Sequence, residues 1–109
     1  MENRNGNNFN NNVNTVNRAG SMVPPHSIEA EMAVLGGMML DRHAIARVME
    51  IIDADTFYDP KHVLIFETMS DLFQKNVAVD IITLAEELKQ SGNLEKAGGT
   101  IYLTDINSY

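Results

Sequence analysis

Apolar residues in this chain recur at helical rather than strand spacing. Ile28, Met32, Leu35 and Met39 follow at intervals of four, three and four, which places them on one face of an α-helix. Ile45, Val48, Met49 and Ile52 repeat the pattern in RHAIARVMEII, and Ile81, Leu84, Ala85 and Leu88 repeat it in IITLAEELKQ. The fullest stripe is Ile65, Phe66, Met69, Leu72 and Phe73 in KHVLIFETMSDLFQK, and this segment is predicted to be the central core helix. No segment sustains the two-residue alternation of a half-buried strand. The expected fold class is all-α, a compact bundle of about five or six short helices.

The residues between the stripes agree with that reading. Ser27 is a good N-cap behind Pro24 and Pro25, and Glu29 and Glu31 fall in a first turn where the helix dipole favours anions. Asp41 is placed to cap the second helix, and Asp59-Pro60 to open the central one. Between them DADTFYDP reads as a connector with two aromatics among acids. NVAVD reads as a short extended link, after which Asp80 or Thr83 caps a helix that Ser91-Gly92-Asn93 ends. LEKAGG is expected to form one turn of helix before a glycine pair, and TIYLTDI to begin a last helix. Gly36 and Gly37 interrupt the first stripe, each costing roughly 1 kcal/mol relative to alanine. They mark either a bend or a place where another helix packs against bare backbone, and the second reading is preferred.

Residues 1–23, MENRNGNNFNNNVNTVNRAGSMV, are dominated by asparagine. Such a segment buries too little apolar surface to offset the entropy of ordering it, so a disordered tail is expected. One domain remains, 24–109, large enough for a single modest core. The formal net charge is -7. In the tail Arg4 and Arg18 outweigh Glu2, so the folded part is more acidic still. Holding a nucleic-acid backbone needs lysine and arginine to displace counterions; a surface of this sign repels phosphate, and direct nucleic-acid binding is not expected. There is no cysteine, which excludes disulfides and thiolate metal sites. No apolar run approaches the ~20 residues of a membrane span, and no signal-peptide core is present, so no membrane contact and a cytoplasmic location are expected. Met1 fits a natural start. The final GGTIYLTDINSY has neither a helix-ending glycine nor a polar tail, the pattern expected of a chain cut within a longer one.

Catalytic chemistry finds little support. A P-loop needs G-x-x-x-x-G-K-[ST], but Gly36-Gly37 leads into Met38-Met39-Leu40, and Gly98-Gly99 into Thr100-Ile101. His26, His43 and His62 are the histidines. Asp55, Asp59 and His62 are the best metal-ligand candidates, yet zinc sites converge three or four donors, and capping with surface polarity accounts better for them. His62 is expected to pack beside the central helix or against Phe57-Tyr58. Glu86-Glu87 and Glu29-Glu31 are read as solvated helix faces rather than as an acid–base pair in one cleft. Ser27, His26 and Asp41 lack the local geometry of a nucleophilic triad. Met32, Met39, Met49 and Met69 fall on core-facing stripes, which favours core filling over a plastic binding groove. No catalytic, cofactor-binding or metal residue is assigned, and the sequence does not single out partner-binding positions.

The order of the blocks carries a resemblance. PPHSIEAEMAVLGGMMLD resembles the opening of the N-terminal domain of DnaB-type bacterial replicative helicases, with its Ser-Ile-Glu-Ala-Glu and Val-Leu-Gly runs. FYDPKHVLIFETMSDLF is similar to that family's next block, an aromatic pair followed by a histidine and Ile-Phe. VDIITLAEELKQSGNLEKAGGTIYL is similar to the third, where Thr-Leu-Ala-Glu-Glu-Leu and Gly-Gly-x-x-Tyr-Leu recur. Together the blocks span nearly all of residues 24–103.

This resemblance implies a non-catalytic collar domain beside a hexameric motor ring, contacting primase, in some systems a helicase loader, and neighbouring helicase subunits. It places DNA unwinding, ATP and magnesium in a C-terminal RecA-like domain of the parent protein. It further implies a subunit-pairing helical hairpin after the Tyr-Leu block, before which this chain stops, so the chain alone is expected to be monomeric or weakly associating. The asparagine-rich tail lies outside the family pattern. Two other readings are an unrelated small helical enzyme or regulator, which predicts a pocket of convergent polar groups, and the similar helicase-binding domain that ends primase chains. The missing P-loop makes one direct prediction. The purified chain should hydrolyse ATP no faster than buffer in a sensitive turnover assay, and measurable turnover would contradict the reading.

Overall fold

Most helices begin where the sequence supplies an oxygen for the free amide groups of the first turn. The computed structural model describes residues 26–109; the tail expected over 1–23, with Pro24 and Pro25, lies outside the described residues. Helix α1 (Ile28–Leu40) starts at Ser27, whose hydroxyl accepts the Ala30 N–H at 3.1 Å. Helix α2 (Arg42–Ile51) starts at Asp41, which accepts from the His43 N–H at 2.9 Å. Asp59 does the same for the Lys61 N–H of α3 (Pro60–Gln74), with Pro60 in the first turn. At α4 (Ile81–Gln90) Asp80 is the cap. Thr83 accepts the Asp80 N–H in return and completes a capping box. Helix α5 (Gly99–Asn107) has no side-chain cap. The DADTFYDP connector contains a short 3-10 turn, Ala54–Thr56, closed by a capping box between Asp53 and Thr56.

Helix ends are equally local. After α3, Asn76 turns left-handed at φ 65°. Its N–H reaches the Phe73 carbonyl at 3.0 Å while the Val77 N–H reaches Leu72 at 2.9 Å, the paired bonds of a Schellman end. The guanidinium of Arg42 closes over this turn, donating to Asn76 Oδ1 at 2.9 Å and to the carbonyls of Phe73 and Val77 at 3.3 Å. It lies 4.5 Å above the Phe73 ring and thereby ties the start of α2 to the end of α3. The predicted stop at Ser91-Gly92-Asn93 has the same paired bonds, from Gly92 to Lys89 and from Asn93 to Leu88. LEKA makes its single turn, through Ala97 N–H to the Asn93 carbonyl at 2.9 Å.

Helix α1 packs on α2, α3 and α5, and α3 also packs on α2, α4 and the 3-10 turn; α4 packs on α5. Helices α1, α3, α4 and α5 therefore close a ring, with α2 against α1 and α3. Leu35, Ile45, Ile65, Met69, Leu84, Leu88, Leu103 and Ile106 are fully buried inside it. Met39 is buried, and Met32 and Met49 pack against the core, the filling role expected of the methionines. Among the described residues there are five α-helices and no strand, as the all-α reading anticipated.

The two glycines of α1 part company. A Cβ on Gly36 would stand 2.7 Å from the Ile106 carbonyl oxygen, whereas one on Gly37 would meet nothing within 4 Å. Gly36 is thus the seat where the end of α5 lies against bare backbone, and Gly37 merely costs helix propensity. The two alanine substitutions should have opposite signs. Gly36→Ala should destabilise by about 1–3 kcal/mol through overpacking, and Gly37→Ala should stabilise by roughly 0.5–1 kcal/mol. Urea titrations of both variants check this; equal effects would contradict the assigned seat.

Candidate functional site: a buried polar relay and an exposed isoleucine ridge

His62 sits in the first turns of α3 and is 0% exposed, the one polar residue buried among the described residues. Asp59 and Pro60 set the helix start, and Phe66 follows His62 by one helical turn, so the ring falls on the core-facing stripe. Its Nδ1 lies 2.7 Å from Glu31 Oε1 on α1, and its Nε2 lies 2.5 Å from the Tyr102 hydroxyl on α5. Phe57 meets the imidazole edge-on, with ring centroids 6.4 Å apart at 77°. Glu31 spends its remaining capacity on the connector, accepting the Tyr58 N–H at 2.7 Å and the Asp59 N–H at 3.3 Å. Three helices and the loop between two of them are thereby joined through one carboxylate and one imidazole.

The electrostatics fix the direction of the Glu31–His62 bond. Burial alone would raise the Glu31 pKa. The Tyr58 N–H, the His62 ring and the Asp59 N–H outweigh it and hold the carboxyl below its ordinary value. An ionised carboxylate only accepts, so Nδ1 carries the hydrogen of the Glu31–His62 bond, while Nε2 faces the Tyr102 hydroxyl. Burial, aided by the negative charges of Asp59, Glu31 and Asp105, pushes the Tyr102 phenol up, which keeps its hydroxyl protonated. Asp59 is held down despite burial by the Lys61 backbone N–H and side chain, and by His62. Lys61 Nζ reaches Asp59 Oδ2 at 3.3 Å and lies 5.2 Å from the Tyr102 ring centroid, covering the relay.

Gly98 seats Tyr102. Gly98 has φ 102°, and a Cβ there would lie 2.7 Å from the Tyr102 Cβ and 2.8 Å from its ring. Only a bare backbone lets the tyrosine fold over it towards His62. Gly98 therefore serves packing, whereas Gly99, at φ 80°, serves the left-handed backbone of the turn.

The other sequence candidates do not converge. Asp59 caps α3 and pairs with Lys61, Asp55 lies in the 3-10 turn, and among the described residues no three histidine or acidic groups come together as metal ligands. His26 stacks on Tyr58 at 3.7 Å. Asp41 caps α2 and lies 3.7 Å from the exposed His43, so Ser27, His26 and Asp41 form no triad. Glu86 is solvated as expected, and Glu87 lies 3.8 Å from Lys75. Glu29 is exposed, but Glu31 corrects the reading of that pair as a solvated face, since its carboxylate is turned inward onto His62. The signal was present in the spacing. Ile28, Glu31 and Leu35 lie three and four residues apart, and a carboxylate on an apolar stripe calls for a buried partner.

On the exterior, Ile82 of α4 is 78% exposed although its neighbours Ile81, Leu84, Ala85 and Leu88 face the core. It separates two apolar grooves. One, of about 630 Å³, is lined by Ile81, Ala85 and Leu94 with Glu86, Lys89 and Glu95; the other, of about 290 Å³, by Leu72 and Val77 with Lys75, Glu86 and Glu87. Ile101 of α5 and Ile51 of α2 are exposed to a similar degree. Among the described residues no helix is long and apolar enough to cross a membrane.

A ring of short helices cross-braced by a buried carboxylate–imidazole–phenol relay defines a small all-α domain. The family model for the DnaB-like helicase N terminal domain matches residues 23–109, and the chain belongs to that family. It is 41% identical over 96 residues to the replicative DNA helicase DnaB of Rhodothermus marinus, covering 88% of this chain and 10% of that protein. It is 43% identical over 95 residues to the DnaB of Buchnera aphidicola subsp. Acyrthosiphon pisum, covering 87% of this chain and 20% of the relative. The chain thus spans at most a fifth of the length of these relatives. The crystal structure of the N-terminal domain of DnaB helicase from Mycobacterium tuberculosis superposes with a TM-score of 0.76 at 38% identity, over 79% of this chain and 62% of that one.

The relay should be visible in stability. Tyr102→Phe leaves a buried ring nitrogen without its hydrogen-bond partner and should cost about 1–3 kcal/mol, roughly 5–15 °C in Tm. Because Glu31 and Asp59 have lowered pKa values, the stability they contribute is complete above the unfolded carboxyl value, about 4, and is lost as pH falls through the lower folded values. Melting temperature should therefore drop on acidification below about pH 4, and Glu31→Gln, already less stable at neutral pH, should show a shallower drop. An unchanged acid limb in Glu31→Gln would contradict the assignment.

Proposed function

We propose that this chain is a non-catalytic collar module of a hexameric replicative helicase that binds proteins rather than DNA or nucleotide. In this reading the parent protein unwinds DNA at the replication fork in the cytoplasm, with ATP and magnesium held in a C-terminal motor domain. The N-terminal domain contacts primase, neighbouring subunits and, in some systems, a loader. Family membership supports the setting. The observation that carries the role is the exterior: large apolar side chains, Ile51, Ile82 and Ile101, stand out on a surface where acids outnumber lysines and arginines. Such a surface suits protein partners and repels a phosphate backbone. The interior supports the same reading, because the polar groups of the relay are spent on one another and on the backbone and so hold the domain rigid.

Titrating isotope-labelled chain with the C-terminal region of the cognate primase tests the proposal. Saturable shifts confined to a contiguous patch of surface amides are expected, whereas an unchanged spectrum at concentrations far above micromolar would overturn it.

A further inference from the structure

Helix α4 has an apolar residue on the wrong side. Its inward face, Ile81, Leu84, Ala85 and Leu88, is satisfied by α3 and α5, yet Ile82 remains 78% exposed. A single exposed isoleucine is ordinary on a protein surface. This one differs because it borders apolar hollows on both flanks, one running towards Leu94 and the other towards Leu72 and Val77. A ridge between two grooves is the relief that a second helix meets when side-chain rows interdigitate. Two α4 acids, Glu86 and Glu87, edge the ridge and Glu95 faces it across the wider groove, with Lys89 and Lys75 among them. Lys75 is 3.8 Å from Glu87, which leaves Glu86 and Glu95 as the acids of the rim without a lysine or arginine partner at ion-pair distance among the described residues.

We propose that this ridge docks an amphipathic helix of a partner protein, with apolar side chains at i, i+3, i+4 and i+7 straddling Ile82 and lysine or arginine on the flanks. Charge selects that occupant. A second copy of this chain carries the same formal net charge of -7, whereas a basic helix gains both apolar burial and attraction to Glu86 and Glu95. The inference rests on the reading of the domain as a protein-interaction module and adds to it the place and the chemistry of the contact.

The test uses two synthetic helical peptides with one leucine stripe, one flanked by lysine and the other by glutamate. They are titrated against the full chain while amide shifts are followed. The lysine peptide should bind saturably and move Ile82, Glu86 and their neighbours. Ile82→Asp, at an exposed position that leaves Tm unchanged, should weaken that binding by about tenfold or more. Ile51→Asp, equally exposed on α2, should leave it unaltered. Glu86→Lys should weaken the lysine peptide and strengthen the glutamate one. Equal binding of both peptides, full binding by Ile82→Asp, or sedimentation showing a dimer of the chain that Ile82→Asp dissolves would each overturn the proposal. Failure of primase to bind the unmodified chain would overturn the broader function instead, so the two failures are separable.

Discussion

Everything in this domain depends on satisfying one imidazole buried inside a helical ring. A buried polar group without partners costs about 1–3 kcal/mol, and a buried charge more. His62 avoids that cost only when Glu31 of α1 and Tyr102 of α5 are both in place. Glu31 in turn needs the connector amides of Tyr58 and Asp59. The relay thus makes the position of each element conditional on the others. It adds directional bonds to the packing of the apolar stripes.

Backbone geometry cooperates with the relay. Gly98 lets Tyr102 lie across its own chain, and Gly36 lets the end of α5 close onto α1. Arg42 clamps the far side of the ring by covering the left-handed turn after α3. With its interior settled in this way, the domain keeps apolar side chains outside without losing its shape. Under the proposed function, the exposed isoleucines on this acidic scaffold are the surface that meets protein partners, and the relay inside serves to hold that scaffold together.

The stripes, caps and stops were legible in the sequence because each is decided within a few residues. Asp41, Asp59 and Asp80 announce helix starts through their own side chains, and Ser91-Gly92-Asn93 announces an end. The family was legible from three ordered blocks. The relay was not, because hydrogen bonds between residues 31, 62 and 102 depend on how three helices cross. Local spacing carries only a hint of it, in the placement of Glu31 and His62 on apolar stripes. The 3-10 turn in DADTFYDP was hidden for a related reason, since Asp53 and Thr56 read equally well as loop polarity. Ile82 escaped notice because a helical pattern identifies the face that is buried and leaves the outer residues unsorted.

The central claim is that the relay and the Gly36 seat bind α5 into the same cooperative unit as α3. Native-state hydrogen exchange of the unmodified chain tests it most directly. Amides of Leu103 in α5 and Met69 in α3 should exchange with the same opening free energy and the same denaturant dependence, because neither helix opens without the other. Exchange at Leu103 through a small local opening, with Met69 still protected, would contradict the account.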